Sequence, residues 1–218
     1  MKKYNIVYAD PPWEYKQKGS RGTAINHYKT MTTNEICRLS IKEIIEEQAL
    51  LFLWSTFPNI KEALKVMEAW GFIYKTAAFV WIKKNKRQNT NFWGMGAYTR
   101  ANIEPCLLGI TKKTKANTFV KNHGIHQIIE YPVLKHSEKP PIVRDRIINL
   151  CGDISKIELF ARTYTNGWDV WGSEVKNSIE IKEELFCYVY NKPVSEIKEK
   201  RCMISPCCYT CVETEGLK

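Results

Sequence analysis

Residues Tyr4-Asn5-Ile6-Val7-Tyr8-Ala9-Asp10-Pro11-Pro12-Trp13 run an apolar strand straight into an acidic, proline-paired, aromatic turn. Those residue types fit one chemistry, alkylation of an exocyclic amino nitrogen on a base. Such an amine is a poor nucleophile because its lone pair is delocalised into the ring. A carboxylate accepting one amino hydrogen and a carbonyl accepting the other can localise that lone pair and aim it at a methyl donor. Asp10 and the Pro11 carbonyl can supply the two acceptors. Pro11 and Pro12 have no N–H and a fixed φ, so the turn is stiff and is expected to present its carbonyl outside any ladder. Trp13 is expected to offer a flat face on which a purine stacks. The competing reading of Asp-Pro-Pro is a turn that merely ends a strand.

The elements around the turn must position it. Apolar runs at 4–9, 49–54, 76–82, 103–110 and 157–161 have the length of buried parallel strands. Thr32-x-x-Glu35 and Ser40-x-x-Glu43 look like capping boxes that open two short helices. Thr56 and Pro58 start another helix, with Ile60, Ala63, Leu64 and Met67 on one face and Gly71 as its stop. A fourth begins near Pro140 and Pro141, turns Val143, Ile147, Ile148 and Leu150 inward, and halts at Gly152. The alternation predicts an α/β fold with a mostly parallel, doubly wound sheet. Ligands in such sheets bind beyond the carboxyl ends of strands at the topological switch point, and Asp10 follows one such end. The polar segment 14–30, with Gly19 and Gly22, has the length and composition of a lid.

A chain of 218 residues holds one sizeable core with an appendage, placed here at 1–175 for a catalytic domain and 176–218 for a Cys-rich extension. Hydrophobic content of 44% and charged content of 26% exclude a disordered chain. With no apolar run of membrane-span length and no signal sequence at its start, the chain is expected to be cytoplasmic and to have no membrane partner. The formal charge of +10 suits a polyanion, because basic side chains gain affinity by releasing counterions from phosphates. Lys83, Lys84, Lys86 and Arg87 form one basic group, and Lys112, Lys113, Lys115 and Lys121 another. Cys37, Cys106 and Cys151 read as small buried residues. Cys202, Cys207, Cys208 and Cys211 lack the two separated pairs of a zinc site, so a thiol-bearing tail and no metal are expected.

Five blocks recur in one order: Tyr-Ala-Asp-Pro-Pro-Trp at 8–13, Asn-Ile-Glu-Pro-Cys-Leu-Leu-Gly at 102–109, His-Ser-Glu-Lys-Pro at 136–140, Lys-Ile-Glu-Leu-Phe-Ala-Arg at 156–162 and Gly-Trp-Asp-Val-Trp-Gly-Ser-Glu at 167–174. Together they resemble the MT-A70-like adenine-N6 methyltransferases, typified by the catalytic subunit of the eukaryotic mRNA methyltransferase. The resemblance covers residues 4–175. It implies a Rossmann-like, S-adenosylmethionine-dependent methyltransferase fold in permuted motif order, with the catalytic turn ahead of the main cofactor-binding strand. It also implies roles for residues. Asp10, Pro11, Pro12 and Trp13 match the catalytic turn, and Ala9 and Asp10 also border the cofactor. Lys139 matches a lysine for the cofactor carboxylate and Glu158 a carboxylate for its ribose. Phe160 continues that wall as an apolar contact and Arg162 as a second charge for the carboxylate. Ser173 and Glu174 match positions beside the cofactor adenine and ribose, with Ser173 where the family commonly has Asn. Tyr28 and Glu104 match residues that meet the target adenosine, and 93–100 resembles a substrate-facing loop. The chain is expected to lack a strand that, in longer relatives, precedes the catalytic one.

The function implied is methyl transfer to adenine N6 in DNA. RNA is the alternative acceptor, and a non-catalytic nucleic-acid-binding subunit of a heterodimer is the alternative of another class. An intact Asp10-Pro11-Pro12-Trp13 with Lys139 speaks for catalysis. The oligomeric state stays open between monomer and homodimer.

Overall fold

The computed structural model describes residues 2–14, 30–96, 98–135 and 137–184, with two short strands beyond them, Phe186–Cys187 and Lys192–Pro193. Most of the expected lid, Tyr28 with it, and the four tail cysteines lie outside the described residues.

Apolar runs become strands β1 (Tyr4–Ala9), β2 (Ile45–Trp54), β3 (Phe72–Lys84), β4 (Ile103–Thr111) and β6 (Lys156–Leu159), joined by the shorter β5 (Ile128–Pro132) and β7 (Asp169–Trp171). They form one sheet in the order β5-β3-β4-β2-β1-β6-β7. Six strands run parallel. The run 103–110, expected to be parallel, instead opposes both neighbours, β2 and β3. A chain that turns straight back from β3 needs no crossover helix, and a turn-back gives an antiparallel pair. The sequence hides the direction because β4 is nearly as buried as β2, which runs parallel to β1.

Side chains alternate across the sheet. Val7, Ala9, Leu51 and Leu53 face helices α1 (Thr33–Cys37), α2 (Ile41–Ile44) and α3 (Ile60–Ala69). Ile6, Tyr8, Phe52 and Trp54 face α4 (Ala116–Phe119) through Phe119, and α5 (Ile142–Cys151) through Val143, Ile147 and Cys151. Helices thus cover both faces, as a doubly wound sheet requires, and each fully buried aliphatic or Phe side chain contributes about 1.5–3 kcal/mol relative to exposure.

Thr32 caps α1 as its spacing foretells: its Oγ1 accepts the Glu35 N–H at 3.2 Å, and Glu35 Oε2 accepts the Thr32 N–H at 2.7 Å. Ser40 forms no such cap. Its N–H donates instead to the Lys182 carbonyl at 2.9 Å, and Glu184 N–H donates to the Arg38 carbonyl, so residues 182–184 stay on the body of the domain. On α3 the buried positions are Ala63, Val66, Met67 and Ala69, while Leu64 turns outward. Cys37, Cys106 and Cys151 are buried free thiols; burial pushes Cys37 and Cys151 up to about 12, which leaves them protonated and inert.

The connections from β1 lead one way along the sheet, to β2, and those from β6 lead the other way, to β7. The switch point therefore lies between the carboxyl ends of β1 and β6. This is a Rossmann-like α/β fold in which the strand carrying Asp10 precedes its neighbour β6 in the chain.

Candidate active site

β1 delivers Asp10 to the switch point. Ala9, its last residue, is buried and registers with Leu53 of β2 and Leu159 of β6. Past it the turn closes on itself: Trp13 N–H donates to the Pro11 carbonyl at 2.8 Å, and the Pro12 carbonyl accepts from Met31 N–H at 2.8 Å. Each of these two oxygens holds one bond and keeps a second lone pair, so the Pro11 carbonyl next to Asp10 can still accept.

Trp13 departs from its expected role. It is 5% exposed, packed in the core on the α1 and α3 side, and its indole N–H donates to the Trp54 carbonyl at 3.0 Å. A ring so placed anchors the turn from beneath and offers no face for a base. Trp13→Phe should lower the unfolding free energy by about 1 kcal/mol, the net worth of one buried hydrogen bond, as a shift in denaturant midpoint with cofactor affinity unchanged. A weakened affinity at full stability would restore Trp13 to the binding surface.

Asp10 heads a chain of four alternating charges. Lys139 Nζ lies 2.9 Å from Asp10 Oδ1 and 3.0 Å from Oδ2, 3.0 Å from Glu104 Oε1, and 3.1 Å from the Ser137 carbonyl that accepts from it. Lys83 Nζ closes the chain at 2.8 Å from Glu104 Oε2. The antiparallel run of β4 makes this possible, because it brings Glu104 to the same edge of the sheet as the end of β1. The Lys139 ammonium also stands 5.7 Å from the Trp54 ring centroid. Burial drives the Asp10 carboxyl up to about 6, against the pull of Lys139 and with help from the Glu104 charge. Burial acts the same way on Glu104, but Lys139 and Lys83 together overcome it and hold Glu104 below its ordinary value. Burial disfavours the charged Lys139, yet the two carboxylates raise it and keep it an ammonium.

On the other side of the switch point Glu158 is buried on β6, where Arg144 of α5 grips it by two parallel bonds, Nε to Oε2 at 2.7 Å and Nη2 to Oε1 at 2.6 Å. Arg144 lies over the Tyr8 ring at 5.6 Å. β6 ends at Leu159, so Phe160, expected on the strand, instead occupies a left-handed turn with φ 60°. A non-glycine residue there costs about 1–3 kcal/mol and is held only by its surroundings. Trp70 stacks on Phe160 at 6.5 Å and Trp171 meets it edge-on at 5.5 Å. Gly172 lets the two strand ends close, since a Cβ there would stand 2.2 Å from the Ala161 carbonyl oxygen. At the rim Arg162 Nε meets Glu174 Oε1 at 2.9 Å, with exposed Ser173 beside it.

The structure thus gathers Asp10, Lys139 and Glu104 into one cluster and sets Glu158 on the neighbouring strand and Phe160 in the turn that follows it, with Arg162, Ser173 and Glu174 at the rim. Sequence reasoning missed Arg144; its signal was an arginine on the inward side of a helix, next to Val143. It also assigned Lys83 to phosphate binding, whereas Lys83 is spent on Glu104 and Lys84 on Glu130 at 3.0 Å. Lys112, Lys113 and Lys115 follow the far end of β4, at the opposite edge of the sheet from Asp10.

Comparison with known proteins follows the same outline. The MT-A70 family model matches residues 4–174. The chain is 35% identical over 199 residues to the Type II methyltransferase M.MunI of Mycoplasma sp, covering 83% of this chain and 82% of that protein. It is 28% identical over 177 residues to the N(6)-adenosine-methyltransferase catalytic subunit METTL3 of Homo sapiens, covering 79% of this chain and 28% of that protein. For the N(6)-adenosine-methyltransferase MT-A70-like of Arabidopsis thaliana the identity is 27% over 185 residues, 84% of this chain and 25% of that protein. The chain therefore spans less than a third of those longer proteins. The family match begins with the first residue of β1, ends just past β7, and takes in the Asp10 cluster, the Arg144–Glu158 pair and the Phe160 turn; the chain belongs to the MT-A70 family.

Proposed function

We propose that this protein transfers a methyl group from S-adenosylmethionine to the N6 amino nitrogen of adenine in DNA. The observation that carries the reading is Asp10, a partly buried carboxylate on a stiff turn at the switch point, with a raised pKa and a carbonyl one residue away. The relatives support the rest: N(6)-adenosine for the atom, and a Type II methyltransferase of matching length for the kind of enzyme.

The crevice fits the cofactor chemically. It has an ammonium for a carboxylate, carboxylates for cationic groups, and an aromatic wall built on the strained Phe160 turn. Bound there, S-adenosylmethionine supplies a methyl on a positively charged sulfur. Lys139 has three donors, all in use, and can hold the cofactor carboxylate by giving up one of them. Glu158, fixed by Arg144, keeps a free lone pair on each oxygen for ribose hydroxyls. Asp10 accepts one N6 hydrogen and the spare lone pair of the Pro11 carbonyl accepts the other, which turns the nitrogen lone pair toward the donor. As the N–CH3 bond forms and the S–CH3 bond breaks, the nitrogen becomes acidic, and Asp10, with a pKa near neutrality, is suited to take the released proton.

A pH profile follows from that assignment. Asp10 must be ionised to accept, so kcat should fall on the acid side with an apparent pKa of about 6. Glu104→Gln removes a negative charge that raises Asp10, and should move that limb to lower pH. A limb that stays in place or moves up would separate Glu104 from the Asp10 carboxyl. The acceptor itself is tested by supplying DNA and RNA oligonucleotide pools of matched sequence with methyl-labelled donor. Label should enter the DNA; label confined to RNA would assign the other polymer, and label in neither would favour a non-catalytic subunit.

A further inference from the structure

Between β3 and β4 the chain makes an excursion, residues 85–102, that leaves and re-enters the sheet at the edge where Glu104 stands. It carries Lys86, Arg87 and Arg100 and no acidic residue. Its base is tied down: Phe92 N–H donates to the Lys83 carbonyl at 2.8 Å, and the Asn102 amide donates to the carbonyls of Lys83, at 3.0 Å, and Phe92. Gly94 and Ala101 exchange backbone bonds at 2.7 and 3.2 Å. The tip is tight, because a Cβ on Gly96 would stand 2.0 Å from the Thr99 carbonyl oxygen. From it Trp93, Met95 and Tyr98 project into solvent, 55%, 85% and 101% exposed.

We propose that this projection is a finger that inserts into duplex DNA, with Tyr98 and Met95 entering the base stack beside the extruded adenine while Lys86, Arg87 and Arg100 hold flanking phosphates. The proposal rests on reading the chain as a DNA methyltransferase. Three observations carry it. Large apolar side chains stand exposed at the tip of a hydrogen-bonded stalk, and among the described residues none covers them. The stalk is purely cationic, which fits a polyanion and opposes a second copy of this chain, itself at a formal +10. The stalk's root, Lys83, is bonded to Glu104 and through it to Lys139 and Asp10, so the finger is set at a fixed distance from the atom that meets the base. An adenine must leave the stack to reach Asp10, and apolar wedges that part base steps are the usual means of holding such a gap open.

The test is plasmid unwinding. Relaxed plasmid is incubated with the protein and topoisomerase I, and the linking number is read on a gel beside nucleoside analysis of the same DNA. The wild-type protein should lower the linking number as its concentration rises. Met95→Ala/Tyr98→Ala, which alters only exposed positions, should abolish that change, bind the plasmid within about threefold of wild type, and methylate duplex at least tenfold more slowly. Wild-type protein that methylates the plasmid without changing its topology overturns the finger and leaves the function standing. Unwinding lost in the variant, without methylation by either protein, supports the finger and overturns the catalytic reading. Neither binding nor methylation overturns both. A wild-type dimer in light scattering that the double variant turns monomeric, with plasmid topology unaffected, makes the finger a protein contact instead.

Discussion

Asp10→Ala is expected to slow methyl transfer by about a thousandfold while leaving the dissociation constant for S-adenosylmethionine within a few-fold of wild type, as measured by single-turnover rates and calorimetry. The size reflects loss of the one carboxylate that can orient the amino nitrogen and accept its proton. The near-constant affinity follows from what remains: Lys139 keeps Glu104 Oε1 and the Ser137 carbonyl as partners, so the ammonium is not stranded. Equal loss of cofactor binding and of rate would move Asp10 from the acceptor to the cofactor.

Lys139→Met should be the most destabilising single change at the site. It leaves Asp10 and Glu104 facing each other with one cation, Lys83, bonded to Glu104 alone. Removing one partner of a buried ion pair costs about 3–5 kcal/mol, and the lower end applies because Asp10 is 26% exposed. The sign of the pH dependence separates this from a simple packing loss. In the wild type the lysine is raised above its ordinary value, so its stabilisation is complete at neutral pH and fades only as pH rises through the alkaline range. In the variant the loss comes from carboxylates that prefer to be protonated in the fold, so stability should recover as pH falls from 7.5 to 5. A uniform loss at both pH values, read by urea unfolding, would identify packing as the cause. The cofactor dissociation constant should rise as well, since Lys139 is the ammonium assigned to its carboxylate.

The long apolar strands were legible because their burial leaves no polar position for water. Strands β5 and β7 were not. In β5 only Ile129 is buried, and β7 is three residues long between Trp168 and Gly172. The direction of β4 depends on where the 85–102 excursion returns, which no local pattern encodes. At the site, the Asp10 turn was legible because its residue types have few other uses in that order. The inward turn of Trp13 was not, since it depends on a carbonyl 41 residues away on β2. The Arg144 grip on Glu158 joins a helix to a strand whose side-by-side placement only the fold determines, and the Lys83–Glu104 bond joins two strands in the same way.

The most direct test is the chemical identity of the product. Plasmid DNA incubated with the protein and methyl-labelled S-adenosylmethionine, then digested to nucleosides and examined by mass spectrometry, should carry the label in N6-methyl-2′-deoxyadenosine. Label on a ring carbon, or DNA left unlabelled by protein that binds it, would contradict the role given to Asp10 and the Pro11 carbonyl, and label on the cytosine amino group would contradict adenine as the acceptor.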